Sequence, residues 1–451
     1  MMIAFIAMSG VRACNERLNR IGMTLPGFVE RQQVIASLPS LGLLTLAGMT
    51  PPHIDIAYHE VADLAKLADL PECDLAVIST YSAQVKDAYA LAGRYRERGV
   101  KTAIGGLHVT ALPDEALRYC DTVVVGEGEV TWPTLVRDFE AGQMRRLYLP
   151  SGRDFDLADA PMPRFDLLDP SRYNRLTVQT QRGCPWRCEF CASSVMLTPR
   201  YKLKPVEKVI REIRAIKAIW PRPFVEFADD NTFVDKRHGK ELMRALAPER
   251  IRWFTETDIS VADDPELLDL MCEAGCAEVL IGLESPTAAG LDGIELRQNW
   301  KRSRLERYQA AIERIQGRGI AVNGCFVLGL DGDTPSVFDA VWDFVRTTGL
   351  FDVQITVLTP FPGTPLYERL RREGRLLDET AWETCTLFDV NFTPKQMSAS
   401  ELQEGLIELG RRLYTEEAKR ARVSAFREQH RRQGEAGREG GAHHAGTIAV
   451  A

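Results

Sequence analysis

The sequence of 451 residues has no long apolar run and no excess of basic residues. It contains no stretch near the roughly 18 uninterrupted apolar residues that a membrane span needs. Its 56 lysines and arginines are outnumbered by 63 aspartates and glutamates, and the net charge of −7 argues against a general binder of nucleic acid or anionic membranes. At roughly 150 residues per domain, the chain is long enough for two or three domains.

A secretory signal is also missing. The apolar start at residues 1–8 has no basic segment and no small-residue cleavage site, so we interpret it as a first buried strand. The protein is therefore expected in the cytoplasm. Its ten cysteines, in a reducing compartment, predict metal binding or catalysis rather than disulfides.

The first 150 residues alternate apolar runs with helical patterns. The runs are continuous, which is typical of parallel strands covered on both faces. They lie at 2–8, 54–58, 75–79, 102–104 and 122–125. This order predicts a doubly wound, Rossmann-like α/β domain over 1–150, whose ligand binds beyond the carboxyl ends of the strands. Residues 151–172, rich in Pro and Asp, are predicted to form a linker.

A second βα series follows the linker. Its strands are predicted near 176–181, 224–227, 253–256, 278–283, 321–328 and 353–358. Six βα units are fewer than the eight of a closed barrel, so we predict an open (β/α)6 partial TIM barrel over 173–380. Residues 381–432 are predicted to be a small helical segment with a capping box from Ser398 to Glu401, and 433–451 a disordered tail.

Three cysteines directly after the first strand of the second domain carry the strongest chemical signal. Cys184, Cys188 and Cys191 form a C-x3-C-x2-C triplet. A four-ligand zinc site needs a fourth ligand, and none is close in sequence. Three thiolates suit a 4Fe–4S cluster held through three of its irons, which leaves the fourth iron open for a small ligand.

This triplet, with Phe190 before the last cysteine, resembles the radical S-adenosylmethionine (SAM) superfamily. The resemblance implies that SAM binds the open iron, that an electron donor of the flavodoxin or ferredoxin type reduces the cluster, and that cleavage of SAM yields a radical. Polar residues at the ends of the next barrel strands resemble SAM-contact positions. They are Asp229, Asp230, Asn231, Glu256, Glu284 and Ser285. Many members carry Gly-Gly-Glu after the second strand, where this chain has Ala-Asp-Asp-Asn at 228–231.

Two glycine-rich segments of the first domain indicate which family within this superfamily the sequence resembles. Residues 105–110 and 126–129 resemble the cobalamin-binding half of cobalamin-dependent radical SAM proteins. Glycines at strand ends let the backbone approach a large flat cofactor. The resemblance predicts cobalamin contacts from Ser79, Thr80, Gly105, Gly106, His108, Val109, Thr110, Gly126, Glu127 and Gly128. The Asp-x-His-x-x-Gly loop of classical cobalamin mutases is not present, so we expect no histidine–cobalt bond.

Further segments, among them 201–206, 329–334 and 359–364, resemble a subgroup that includes hopanoid methylases. The leading hypothesis is therefore a methyltransferase that acts on an unactivated carbon, or a phosphinate phosphorus, of a small-molecule natural product. Radical cyclisation or rearrangement, and transfer of the aminocarboxypropyl group of SAM, would use the same cofactors and stay open. A non-catalytic cobalamin or cluster sensor is a third class.

A methylthiotransferase is another alternative, and it would need a second cluster in the first domain. Its candidate ligands are Cys14, Cys73 and Cys120. Cys14 follows its strand, whereas the other two precede theirs, and a five-residue strand separates those edges by about 17 Å. This geometry argues against a shared cluster.

Overall fold

The computed structural model describes residues 1–20, 38–150, 152, 154–197 and 200–439. Within them, six parallel strands form the N-terminal sheet. They are β1 (Met2–Met8), β2 (Asp55–Val61), β3 (Leu75–Ser79), β4 (Lys101–Gly105), β5 (Thr122–Val124) and β6 (Leu147–Tyr148). The order β2-β1-β3-β4-β5-β6 is the predicted doubly wound arrangement, with its switch point between β1 and β3. Sequence patterning missed β6, because two residues are too short to show a period.

Helices cover both faces of this sheet. They are α2 (Leu41–Met49), α3 (Val85–Glu97), α4 (Leu107–Ala111), α5 (Pro113–Ala116) and α6 (Gly128–Glu140), whereas α1 (Glu16–Arg20) buries Leu18 in the core of the second domain. On one face, α2 and α6 bury side chains such as Leu43 and Trp132 against the sheet. On the other face, α3 buries Val85 and Leu91. The continuous apolar strands are explained by this double cover.

The second sheet also contains six parallel strands in the described residues, with β7 and β14 at its edges. The strands of the second domain are β7 (Leu176–Val178), β8 (Gln181–Arg182), β9 (Lys202–Leu203), β10 (Phe224–Phe227), β11 (Arg252–Thr257), β12 (Cys276–Glu284), β13 (Ala321–Leu328) and β14 (Asp352–Val357). The order β14-β13-β12-β11-β10-β7 is that of the predicted open barrel.

The first barrel strand is shorter than predicted. It ends at Val178, and Gln181 and Arg182 turn away to form an antiparallel ribbon with β9. The Asp229 carboxylate causes this turn, because it accepts hydrogen bonds from the backbone N–H groups of Thr180 (2.8 Å) and Gln181 (3.0 Å). These N–H groups are therefore not available to continue the strand.

The helices of the second half surround the barrel and complete the C-terminal region. They are α7 (Val206–Ile219), α8 (Lys236–Leu246), α9 (Pro265–Glu273), α10 (Trp300–Arg304), α11 (Tyr308–Gly317), α12 (Val337–Thr348), α13 (Pro365–Arg372), α14 (Ala399–Leu413) and α15 (Glu416–Glu439). The predicted capping box is present, with Ser398 and Glu401 each accepting a hydrogen bond from the other's backbone N–H. None of the described helices is long and apolar enough to cross a membrane.

The predicted start of the tail needs correction. Helix α15 continues to Glu439, so the first part of the predicted tail is helical, while 440–451 lie outside the described residues. Glu435, Ala436 and Arg438 are good helix formers, and extending an existing helix is easier than starting one. The predicted linker buries Leu157 and Phe165.

The buried side chains of α7 yield a stability prediction. Ile213 is fully buried in the barrel core, so Ile213→Ala should lower the free energy of unfolding by about 2–5 kcal/mol through the cavity it leaves. Urea denaturation followed by circular dichroism measures this change. Arg211→Ala, at an exposed position of the same helix, should stay within about 0.5 kcal/mol of the parent chain. Equal effects of both substitutions would contradict the packing of α7.

Candidate functional site

Two adjoining cavities lie at the carboxyl ends of the strands. The first, about 360 Å³, lies between the N-terminal sheet and the barrel, and we call it the sheet cavity. The second, about 410 Å³, lies at the mouth of the barrel, and we call it the barrel cavity. Ser193 and Asp230 line both. The two predicted cofactor regions therefore share a wall.

All three cysteines of the triplet line the barrel cavity. The cysteine loop, residues 184–191, follows Gly183, whose φ of +95° is a conformation that glycine adopts without strain. A β-bridge between Cys188 and Glu295 holds the middle of the loop. Asp230 holds its flanks, because its carboxylate accepts from the Gly183 N–H at 2.7 Å and from the Ser193 hydroxyl.

The thiols of the loop lie in a poorly solvated place. Burial raises the pKa of Cys184 to about 11, against the opposing effect of a hydrogen bond from Asn231. Burial also raises the pKa of Cys188 and Cys191. Three soft sulfur donors that face one cavity fit a 4Fe–4S cluster bound through three irons. Because the metal binds thiolates, loading the site releases the protons that burial retains.

Four of the predicted SAM-contact residues, and Phe190, line the barrel cavity. The four are Asp230, Asn231, Glu256 and Glu284. Glu284 adopts a left-handed backbone conformation (φ +62°) and accepts a hydrogen bond from Lys301 Nζ at 2.5 Å. Burial lowers the pKa of Lys301, but the attraction of the Glu284 carboxylate and its other contacts raises it by more, so the net pKa is well above the ordinary value. This ion pair fixes the end of β12 at the cavity.

Two predicted SAM contacts do not reach the cavity. The Asp229 carboxylate accepts hydrogen bonds from Thr180, Gln181 and Thr232. Ser285 is fully buried, and its hydroxyl bonds that of Thr287 at 3.1 Å. Both residues hold loops at the barrel rim, and their contact with SAM stays a prediction.

Sequence reasoning missed several residues of the barrel cavity. They are Trp186, Lys301 and Gln354. Trp186 lies inside the cysteine motif, and its place in the sequence could have identified it. Its indole N–H donates to Asp258 at 2.9 Å, and its ring stacks on Trp300 with centroids 4.2 Å apart. The other residues reach the cavity only through the curvature of the barrel, which no local pattern reveals.

The lining of the sheet cavity is mostly apolar and includes glycine backbone, together with charged side chains such as Arg182 and Glu129. Predicted residues in its wall are Ser79, Gly105, Gly106, Gly126, Glu127 and Gly128. At Gly106, with φ +122°, a Cβ atom would lie 2.5 Å from the carbonyl oxygen of Thr80, so only glycine fits. Leu43, Ile104 and Trp132 supply apolar surface. This cavity lies at the topological switch point of the sheet, and its wall consists largely of backbone and apolar side chains. Such a cavity fits a large flat cofactor such as cobalamin.

Four predicted cobalamin contacts turn away from this cavity. Thr80 packs beneath Gly106, and Val109 is fully buried in the core. The Thr110 hydroxyl accepts from the Gly126 N–H at 3.0 Å. His108 is buried. Helix α4 begins directly after the glycines and directs His108, Val109 and Thr110 away from this cavity, whereas Thr80 follows β3.

His108 joins the first domain to the C-terminal segment. Its Nδ1 lies 3.1 Å from the Ser82 hydroxyl and its Nε2 lies 3.2 Å from the Glu115 carboxylate. The same carboxylate accepts from the Trp382 indole N–H at 3.2 Å. No side chain of this set lines either cavity. The contacts therefore support packing of the two segments.

The three N-terminal cysteines lie in separate surroundings. Cys14 donates to the carbonyl oxygen of Glu383 at 3.3 Å, and Cys120 donates to that of Ala116 at 3.3 Å. Cys73 contacts Tyr95. Among the described residues these cysteines form no shared group that could bind metal.

Comparisons with known proteins match both halves of the site. Residues 178–345 match the radical SAM superfamily, 35–136 the B12 binding domain and 364–448 a domain of unknown function. The chain is 28% identical over 385 residues to the bacteriochlorophyllide d C-12(1)-methyltransferase of Chlorobaculum tepidum, covering 84% of this chain and 83% of that protein. It is 30% identical over 366 residues to an uncharacterized methyltransferase of Synechocystis sp., covering 79% of this chain and 67% of that protein.

Two further similarities agree with these matches. The chain is 28% identical over 361 residues to the hopanoid C-2 methylase of Rhodopseudomonas palustris, covering 77% of this chain and 67% of that protein. The fold is shared with the radical SAM methyltransferase TsrM from Kitasatospora setae, at a TM-score of 0.65 and 14% identity, over 92% of this chain and 89% of that one. This chain belongs to the cobalamin-dependent radical SAM enzymes, whose cofactors are a 4Fe–4S cluster, SAM and cobalamin.

Proposed function

We propose that the protein is a methyltransferase that acts on an unactivated carbon, or a phosphinate phosphorus, of a small-molecule natural product. The observation that carries the proposal is the shared wall of the two cavities, since methyl transfer needs the methyl donor and the radical source beside one substrate. The relatives named as methyltransferases support the same reaction. When bound, the cluster and SAM supply a radical, and cobalamin supplies a transferable methyl group.

The protein's own residues bind, orient and shield these groups. We propose that Cys184, Cys188 and Cys191 hold the cluster, and that Asn231 and Glu284 contact SAM. The apolar wall of the sheet cavity, including Leu43 and Trp132, would exclude water. A tetrapyrrole or a hopanoid, the substrate types in the names of the relatives, is a reasonable first probe.

Products of SAM distinguish methyl transfer from its alternatives without knowledge of the substrate. With protein carrying cluster and cobalamin, SAM and a strong reductant, we expect both S-adenosylhomocysteine and 5′-deoxyadenosine by mass spectrometry. Methyl transfer consumes two SAM molecules, of which one gives S-adenosylhomocysteine and the other gives 5′-deoxyadenosine. Formation of 5′-deoxyadenosine alone would favour cyclisation or rearrangement, and methylthioadenosine would favour aminocarboxypropyl transfer. Absence of every cleavage product would favour a sensor.

The cysteine loop provides a second prediction. Cys188→Ala removes one of three proposed ligands and should abolish 5′-deoxyadenosine formation and lower the iron content. Cobalamin binding, measured by absorption spectroscopy, should remain, because the sheet cavity is built mainly from the other domain. Cys272→Ala, at an exposed cysteine outside both cavities, is the matched control and should keep its iron. Joint loss of both cofactors in Cys188→Ala would contradict two separable sites.

Glu256 has an electrostatic role that depends on pH. Glu256 is exposed and lines the barrel cavity, where poor solvation, together with the charges of Glu226, Asp230 and Glu284, raises its pKa to about 8. This shift favours the neutral form at pH 7. A neutral carboxyl can donate a hydrogen bond into the barrel cavity, which a carboxylate cannot. We propose that Glu256 holds this proton toward the ligand.

The raised pKa of Glu256 also has a consequence for stability. The pKa of a glutamate in an unfolded chain is about 4.3, so folding favours the protonated form of Glu256. The stability of the folded protein therefore falls as the pH rises from about 4.3 to about 8. Glu256→Gln removes this loss. In protein without SAM, its melting temperature relative to the parent chain should therefore increase from pH 5 to pH 9. Glu306→Gln, at an exposed position, should show no such trend, and a flat difference for Glu256→Gln would contradict the raised pKa.

A further inference from the structure

The ribbon of β8 and β9 brackets the cysteine loop. Arg182 stands two residues before Cys184, and Lys202 follows the loop on the opposite strand. The two basic residues are paired in the ribbon register. The ribbon therefore presents two cations from the two ends of the cluster-binding segment.

Both cations meet carboxylates of the other domain. Arg182 Nη1 lies 2.7 Å from Glu127 Oε1, and its Nη2 lies 2.6 Å from Glu129 Oε1. Lys202 Nζ lies 2.8 Å from both carboxylate oxygens of Glu127. Glu127 and Glu129 stand at the start of α6, where the helix dipole favours negative charge. We call these four side chains the interdomain clamp.

The clamp is shielded from solvent. The Arg182 side chain is 17% exposed, and that of each glutamate is 9%. Exposed ion pairs contribute little, but in a partly buried pair the removal of one partner leaves an uncompensated charge and is costly. The arginine is further oriented by Gln179, whose amide oxygen accepts from Nη2 at 2.8 Å. The geometry of the clamp is therefore strongly specified.

The clamp is continuous with both halves of the site. Glu127, Glu129 and Arg182 line the sheet cavity. The next residue, Gly183, donates to Asp230, which lines both cavities. Ion pairs thus link the start of α6 to Arg182, which stands two residues before the first cysteine. Glu127 is predicted as a cobalamin contact. Its carboxylate accepts hydrogen bonds from Arg182, Lys202 and the Phe155 N–H.

We infer that Arg182 and Lys202 are positioning residues that fix the cysteine loop relative to the sheet cavity, so that cluster and cobalamin are held at one separation. Glu127 and Glu129 are their anchors. The consequence for methyl transfer rests on the proposed function, whereas the separation itself does not. A measurement of the separation therefore tests the inference independently of the reaction.

The test compares the parent chain with Arg182→Met, each loaded with cluster and cobalamin. Pulsed electron paramagnetic resonance of the reduced cluster and Co(II) cobalamin reports the distance between the two spins. The parent chain should give one narrow distribution. Arg182→Met should broaden it or shift its maximum while iron and cobalamin contents stay unchanged. Arg244→Met breaks an exposed pair with Glu266 and should match the parent chain.

An unchanged distribution in Arg182→Met would overturn the inference. Loss of cobalamin with the cluster retained would also overturn it, because Arg182 would then be a cobalamin contact. Should Arg182→Met not fold, Glu129→Gln removes only one ion pair and leaves the Arg182–Glu127 contact. That variant should broaden the distribution less, in the same direction, and an unchanged result there counts against the clamp.

Discussion

The site depends on one carboxylate at the carboxyl end of β10. Asp230 accepts hydrogen bonds from Gly183 and Ser193, which flank the cysteine loop, and its side chain lines both cavities. A short loop that carries three metal ligands would otherwise sample many conformations, and ordering it costs entropy. Tying both flanks to one side chain directly after a rigid strand reduces that cost and places the loop where the two sheets face each other.

The two cavities differ in chemistry because their walls come from different elements. Strand ends and glycines form the sheet cavity, which is mostly apolar and suited to a broad flat group. Strand ends and loops form the barrel cavity, whose lining includes Glu256, Glu284, Asp258 and Lys301. These acids are tolerated close together because Glu284 is paired with Lys301 and the raised pKa of Glu256 favours its neutral form. A cationic ligand such as SAM suits the remaining negative charge.

Local patterns predicted the fold well. The central strands β1, β3, β10 and β13 have the predicted limits, because continuous apolar runs between turns are strong local signals. Prediction failed where tertiary contacts override local preference. The chain after Val178 leaves the barrel strand because Asp229 binds it, and α4 turns His108 away from the cavity that its position after two glycines suggested.

The sequence by itself determined the class of chemistry, since three cysteines at fixed spacing after a strand specify a cluster with an open iron whatever surrounds them. It also determined the order of the two domains. Only the tertiary structure decided which side chains share a cavity, such as Lys301 with Glu284, and which carboxylates bind the other domain, such as Glu127. Those contacts join residues far apart in the chain. Long-range packing supplies the free energy that brings them together, and no short segment of the sequence encodes that packing.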